Sequence, residues 1–318
     1  MPISRWPTLR AVSTPLLADT ACILMTFVGG GARMSVHPTL SFDTEIQRAV
    51  YEYIEQHGAV EPDELARSIR LESEPSHSKP ARSGSYTESI CPSMDDLESC
   101  LEALETQGYL TEADGKYRVA LSTTPKTVEL EDGTVTIRAA REEDRHGVID
   151  TMHEVAAEGT YIVAENVATQ LERDSALVRA NENRSRIFFV AVFEPETEAD
   201  SDDPRQAAAT TDAESGSRVV GWLHIDVNEL PSLSHTAELT VGVASDVRHN
   251  GIGSHLLEYG LEWAKNAGYR KVYQNVPATN DGAIEFLEAN GWHREGEHEA
   301  QYRIGDEFVD EIMLATWP

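Results

Sequence analysis

Val243-Ala-Ser-Asp-Val-Arg248-His-Asn-Gly251-Ile-Gly253-Ser-His-Leu-Leu257 is the stretch on which the reading of the chain turns. The apolar run Leu239-Thr-Val-Gly-Val243 leads into it, and an amphipathic segment follows at once. The spacing predicts a strand, a turn and a helix in direct succession. Gly251 and Gly253 let the backbone approach a ligand closely, and the free N–H groups of a helix start favour an anion. Arg-x-x-Gly-x-Gly at such a turn points to a diphosphate cradle. A glycine-rich entry into a helix that binds nothing is the plainer reading of the same residues. Two other phosphate motifs are excluded. Leu256 stands where a GxGxxG needs its third glycine, and no Gly-Lys-Ser/Thr occurs.

Working outward, periodicity predicts strands at Val135–Arg138, Ile187–Phe193, Arg218–Val227, Ala237–Val243 and Lys271–Val276, with a final pair at Gly291–Ile304 and Glu307–Thr316 around Gly305-Asp306. Helices are expected at Glu142–Ala157, about Val167–Asn181, Gly251–Ala267 and Asn280–Asn290. Between two of the strands, 194–217 is acidic, rich in Ala, Thr and Ser and without periodicity, the composition of a disordered hairpin tip.

Upstream, Asp43–His57 carries Ile46, Val50, Tyr53 and Ile54 at helical spacing and stops at Gly58. Pro62 opens a second short helix through Leu65 and Ile69, and Glu72–Pro92 reads as a loop. Ser93 caps a third helix with Leu97, Leu101 and Leu104 on one face. A hairpin over Gly108–Leu121 turns at Asp114-Gly115. Three helices and a hairpin resemble a winged helix, which places a winged-helix-like domain at 41–121 and a linker at 122–133. Such a domain reads DNA through its third helix. That helix carries Asp95, Asp96, Glu98, Glu102 and Glu105 and no basic residue, so a protein-contact or regulatory role is preferred and DNA is disfavoured. Residues 1–40 do not read as a folded domain. Arg5 and Arg10 precede the apolar run Ala21–Val28, as in a signal peptide, while Met34 offers a translation start that would make the segment an over-extension.

The 318 residues fit about two domains. Charge is the unusual feature: 55 acidic against 26 basic residues, a net −29, with only Lys79, Lys116, Lys126, Lys265 and Lys271 as lysines. Acids spread along the whole chain suit the salt-adapted cytoplasm of a halophile, where self-repulsion is screened. The same charge argues against nucleic acid as partner. Cys22, Cys91 and Cys100 form no CxxC and no zinc spacing, which fits a reducing cytoplasm. His224, His235, His249, His255, His293 and His298 show no metal spacing, so no metal is expected. No apolar run reaches the length of a membrane span.

With this order in place, 134–318 resembles the Gcn5-related N-acetyltransferase (GNAT) superfamily. Two motifs carry the resemblance: Val243-x4-Arg248-x2-Gly251-x-Gly253, and Asn280-x2-Ala283-x2-Phe286-x4-Gly291-Trp292. It implies an α+β fold with a mixed, mostly antiparallel sheet flanked by helices. It further implies acetyl-CoA as co-substrate and direct transfer of the acetyl group to a primary amine, of a small molecule or of a protein or peptide. The backbone of Arg248, His249, Asn250, Gly251, Ile252, Gly253 and Ser254 would then hold the diphosphate, while Arg248's side chain packs or steers. Val241, Gly242 and Val243 would bond the pantetheine. Asn280 would touch the cofactor near its sulfur or simply cap a helix. Glu238 takes the position of the family's general base, or is a solvent-facing strand residue. Glu158 and Tyr161, on the loop between the first two helices, would read the amine. The family's usual acid, a tyrosine, falls at Leu287; Tyr302 and Tyr273 are the substitutes at hand, and the acid stays unassigned. A regulator that senses acyl-CoA through the winged-helix-like domain is the competing class.

Overall fold

Thr44 opens α1 (Glu45–His57) by accepting the Gln47 N–H at 3.3 Å, and Gly58, at φ +86°, ends it where a side chain would be strained. In this computed structural model residues 40–72, 89–121, 123–158, 162–181, 185–196, 216–227 and 230–318 are described. Residues 1–39, most of the expected 72–92 loop, most of the 194–217 loop, and Tyr161 lie outside them. After α1 come α2 (Pro62–Ser68), the short pair β1 (Leu71–Glu72) and β2 (Ser89–Ile90), α3 (Met94–Thr106), β3 (Leu110–Ala113) and β4 (Lys116–Val119). Val50, Ile54, Leu65, Leu97, Leu101, Leu104 and Leu110 make one buried cluster among them. The five carboxylates of α3 are all exposed.

The remainder is built on one sheet. Its strands are β5 (Lys126–Leu130), β6 (Gly133–Ala139), β7 (Arg179–Ala180), β8 (Ser185–Pro195), β9 (Arg218–Val227), β10 (Thr236–Val243), β11 (Lys271–Pro277), β12 (His293–Ile304) and β13 (Glu307–Thr316). Among the described residues the order is β12-β13-β11-β10-β9-β8-β6-β5, with β7 on β8. Every neighbouring pair is antiparallel except β10–β11. Alternation sorts the two faces. Phe188, Val190 and Trp222 pack under α4 (Arg145–Ala156) and α5 (Ile162–Arg173). Ile187, Phe189, Leu223 and Ile225 pack under α6 (Ile252–Asn266) and α7 (Asp281–Ala289).

Two segments differ from the periodicity. Composition predicts a linker over 122–133, yet Lys126–Leu130 pair with β6, because Val128 and Leu130 alternate inward onto the core. Helix α5 lies earlier than Val167–Asn181 and stops at Arg173. Arg186, 1% exposed, explains the stop: it pairs with Asp174 and donates to the carbonyls of Ala176 (2.6 Å) and Leu177 (3.2 Å), so the chain wraps the guanidinium instead of continuing as helix. The described residues fall in one compact unit, 35–318. Within it α1 is fastened to β7: Glu55, 3% exposed, accepts from Arg179 Nε (2.7 Å) and Asn181 Nδ2 (2.9 Å), and Tyr51 donates to the Ala180 carbonyl (2.5 Å).

Candidate active site

The parallel pair β10–β11 is in register only from Thr236 to Glu238 against Lys271 to Tyr273. Beyond Glu238 the strands separate, although β10 runs to Val243 and β11 to Pro277. Two strand edges that would otherwise bond each other therefore face a gap, and a backbone edge without a ladder partner is a template for an extended ligand. The gap opens into a cleft of about 590 Å³ lined by Thr240–Val243, by Gln274–Pro277, by the start of α6 and by Asn280, Ala283 and Phe286 of α7 and its cap.

The mouth of the cleft is the turn before α6. His249 (φ +66°) and Gly251 (φ +80°) both adopt the left-handed conformation. Alternation of this kind turns successive N–H groups toward a common point. The first hydrogen bond of α6 across the turn runs from His255 N–H to the Gly251 carbonyl (3.0 Å), and the amides of the opening turn have no acceptor within the helix. No side chain caps the helix, since the cap residue is Gly251. At Gly253 a Cβ would stand 3.3 Å from the Phe286 ring, so the glycine lets α6 and α7 close on each other. Gly242 is tighter still: a Cβ there would lie 2.2 Å from the Trp222 ring.

Arg248 does not point its charge at this turn. Its Nε donates to the Val243 carbonyl (2.9 Å) and its two terminal nitrogens form a bidentate pair with Glu158 at 2.8 and 2.6 Å. The geometry is that of a clamp joining the end of β10 to the loop after α4. Glu158, expected at the acceptor, is thus engaged by Arg248. Val241, Gly242, Val243, Arg248, His249, Gly251, Ile252, Gly253, Ser254 and Asn280 all line the cleft. Asn250 belongs to the turn without lining the cleft, and its Nδ2 donates to the Val247 carbonyl at 3.3 Å. Asn280 Oδ1 accepts the Ala283 N–H at 3.1 Å, so it caps α7 as well as lining the cleft.

Glu238 sits at the fork, opposite Asp226 on β9 and Tyr273 on β11. Burial, and then the charges of Asp226 and Glu311, hold its carboxyl above the ordinary carboxylate range. Farther along the same face a bulge in β12, with Ala300 at φ +52°, shifts the register between His298 and Tyr302. Both side chains consequently reach Glu311: Tyr302 donates to its Oε1 at 2.5 Å, and His298 Nδ1 lies 2.8 Å from its Oε2. Burial, the Glu311 bond and the Glu311 and Glu238 charges push the Tyr302 phenol up, so it stays protonated as a donor. Leu287, 1% exposed, lines the cleft where the family's tyrosine is expected.

Thr240, Trp222 and Gln274 line the cleft without having been singled out in the sequence. Only Gln274 left a signal: a polar residue between Val272 and Val276 in an otherwise inward-facing row. Among the described residues no group of three His, Cys, Asp or Glu side chains is arranged to hold a metal, and no helix is long and apolar enough to cross a membrane.

A family model described as "Acetyltransferase (GNAT) family" matches residues 177–292. None of the curated proteins matches the chain. Among solved structures the chain is similar to the acetyltransferase of GNAT family from Streptococcus pneumoniae, at 19% identity over 58% of this chain and 99% of that one, with a TM-score of 0.42. It is similar to the ribosomal-protein-alanine N-acetyltransferase from Brucella melitensis at 21% identity, over 57% of this chain and 99% of that one, TM-score 0.39. It is also similar to a Salmonella typhimurium protein whose structure holds its cofactor acetyl-CoA, at 16% identity, over 57% and 93%, TM-score 0.41. The segment matched by the family model contains both motifs and the fork between β10 and β11, and it identifies a GNAT-family acetyltransferase domain in this chain.

Proposed function

We propose that the chain moves an acetyl group from acetyl-CoA to a primary amine by direct attack. The observation that carries this reading is the fork: two strand edges that part after Glu238 and Tyr273 and open into a cleft beside the uncapped start of α6. The residues present fit acetyl-CoA. Gly251 opens α6 with no side chain over its start, and Gly251, Gly253 and Gly242 line the cleft where the backbone must come close. The amides from Arg248 to Ser254 would hold the diphosphate, Val241–Val243 the pantetheine, and Asn280 the region near the sulfur. When bound, acetyl-CoA supplies an activated thioester; the acetyl carbon bonds to the amine nitrogen and the bond to sulfur breaks.

An amine arrives at neutral pH as an ammonium and must lose a proton before it attacks. Glu238, Asp226 and Glu311 lie on one sheet face and attract a cation there. Glu238 is the proposed base, because a carboxyl held above its usual range holds a proton more readily. The general acid stays unassigned. Segment 41–121 is read as a winged-helix-like module for protein contact, since the exposed carboxylates of α3 repel a phosphate backbone. The acidic composition supports a salt-adapted cytoplasm.

The test is Gly253→Asp, which puts a carboxylate at the turn against the Phe286 ring. Calorimetric titration should show acetyl-CoA binding by the wild type and none by the variant, with circular dichroism unchanged. Equal affinity in the folded variant would remove the cradle. An acetylation screen of amines and peptides at high salt, read by product mass, then identifies the acceptor.

A further inference from the structure

Helix α4 ends on two carboxylates that its own dipole disfavours. Glu154 lies in the last turn and Glu158 just beyond it, at the negative end of the helix. One turn apart, both reach the same distant segment. Glu154 Oε1 accepts the Ser245 N–H at 3.4 Å and the Ser245 hydroxyl at 3.2 Å. Glu158 takes both terminal nitrogens of Arg248, at 2.8 and 2.6 Å. Ser245–Arg248 is the stretch that leads from the end of β10 into the turn before α6.

A net charge of −29 accounts for acids at any exposed position, but not for these partners. Asp246, between the two gripped residues, is paired with Arg218 of β9. Each polar side chain of Ser245–Arg248 is therefore engaged from elsewhere in the fold. Val247, Arg248 and His249 line the cleft and the two acids of α4 do not, so Glu154 and Glu158 meet a ligand only through the stretch they hold. Amides cannot swing to a ligand as side chains do. Their aim depends on how firmly the chain that carries them is fixed.

We propose that Glu154 and Glu158 are positioning residues for the cofactor turn: from the end of α4 they fix Ser245 and Arg248, and so preorganise the amides that follow for the diphosphate of the acyl donor. The inference rests on the acetyl-CoA reading above and moves Glu158 from the acceptor side of the reaction to the donor side. Exposed ion pairs add little to stability, so the clamp is read in affinity and not in melting.

The experiment is calorimetric titration of the full chain with no amine present, as wild type, Glu154→Ala, Glu158→Ala, Arg248→Ala and the Glu158→Ala/Arg248→Ala double variant. The probes are acetyl-CoA and adenosine 3′-phosphate 5′-diphosphate, which carries the diphosphate without the arm. Melting of the ligand-free proteins is measured alongside. Each acid variant should bind both probes about threefold or more weakly, by the same factor for the two. The double variant should bind no more weakly than Arg248→Ala, because Glu158 acts through that side chain. All should melt close to the wild type. Unchanged acetyl-CoA affinity in either acid variant overturns the proposal, and so does tighter binding, which would mean that a released guanidinium serves the phosphates itself. A loss confined to acetyl-CoA overturns it as well, since the turn would not be what moved, and so do additive losses in the double variant. Variants that melt far below wild type or fail to fold would make the acids structural, which also overturns it. A wild type that does not bind acetyl-CoA would instead sink the reading on which the proposal rests.

Discussion

Gly242→Ala is the smallest perturbation that tests the fork's construction. The added Cβ would stand 2.2, 2.5 and 2.7 Å from three carbons of the Trp222 ring, against about 3.5–4.0 Å for carbon atoms in contact. The ring has no exposed edge to swing toward: Trp222 is 0% exposed and packs in the cluster of Phe188, Val190 and Met152. Relief must come from moving β10 away from β9 or from repacking that cluster. Overpacking of this kind costs about 1–3 kcal/mol, and so rigid a neighbour places the variant at the upper end. At about 2–4 °C per kcal/mol for a domain of this size, melting should fall by about 5–10 °C. The matched control is Gly282→Ala in the first turn of α7, where a Cβ meets nothing within 4 Å. Alanine is better than glycine in a helix by about 0.5–1 kcal/mol, so this variant should melt about 1–3 °C above wild type. Scanning calorimetry of the three proteins decides. If Gly242→Ala melts with the wild type, the ring and strand are not locked together and the cleft wall is softer than argued.

Glu238→Gln should reduce turnover at saturating substrate by about a hundredfold or more, the usual scale of a general base, with acetyl-CoA affinity unchanged by titration. The same variant has a stability signature. The folded chain binds the Glu238 proton more tightly than the unfolded chain, so ionisation opposes folding. That opposition is absent below the ordinary carboxylate pKa and grows as pH rises through the raised value, so Glu238→Gln should gain on the wild type toward neutral pH in paired denaturant titrations. A gain only in acid would contradict the assignment. Glu55→Ala removes the carboxylate shared by Arg179 and Asn181 and takes the buried acceptor from Arg179 Nε, for a loss of about 1–3 kcal/mol by the same titrations; no loss would mean that α1 is held by its apolar contacts and the Tyr51 bond to Ala180. Finally, acetyl-CoA affinity should change by less than about threefold between moderate and high KCl, because short-range backbone dipoles are screened less than separated charges; a steep decline would point to unseen side-chain cations.

Much of the sheet was legible because its residues obey one rule at a time. Ile187–Phe193 and Arg218–Val227 alternate onto two buried faces, and glycines mark the C-terminal end of α1 and the entry to α6. Boundaries slipped where a distant partner intervened. Arg186 ends α5 from across a loop, and β5 was hidden because five alternating residues beside a turn look like any linker until β6 pairs with them. The fork itself has no local signature. It depends on how many residues of two strands, separated by α6, stay in register, and Thr236–Glu238 against Lys271–Tyr273 is decided by packing on both faces. The bulge at Ala300 is equally silent, since nothing in alanine announces a left-handed backbone.

For Arg248 the sequence leaves two roles open, packing and electrostatic steering, and the fold favours the first. In the fold Glu158, 90 residues earlier, occupies both of its terminal nitrogens, and its Nε closes on Val243. Its work is mechanical: it fixes the end of β10 and thereby the position of His249 and Gly251, whose left-handed backbones aim the turn's amides. For a chain of net charge −29 this division is coherent. A site built on side-chain cations would compete with the chain's own carboxylates and weaken as salt rises, whereas amide dipoles fixed at a helix start do neither to the same degree. The positive end of α6 can therefore sit within an acidic surface, and the motif's arginine can be spent on geometry.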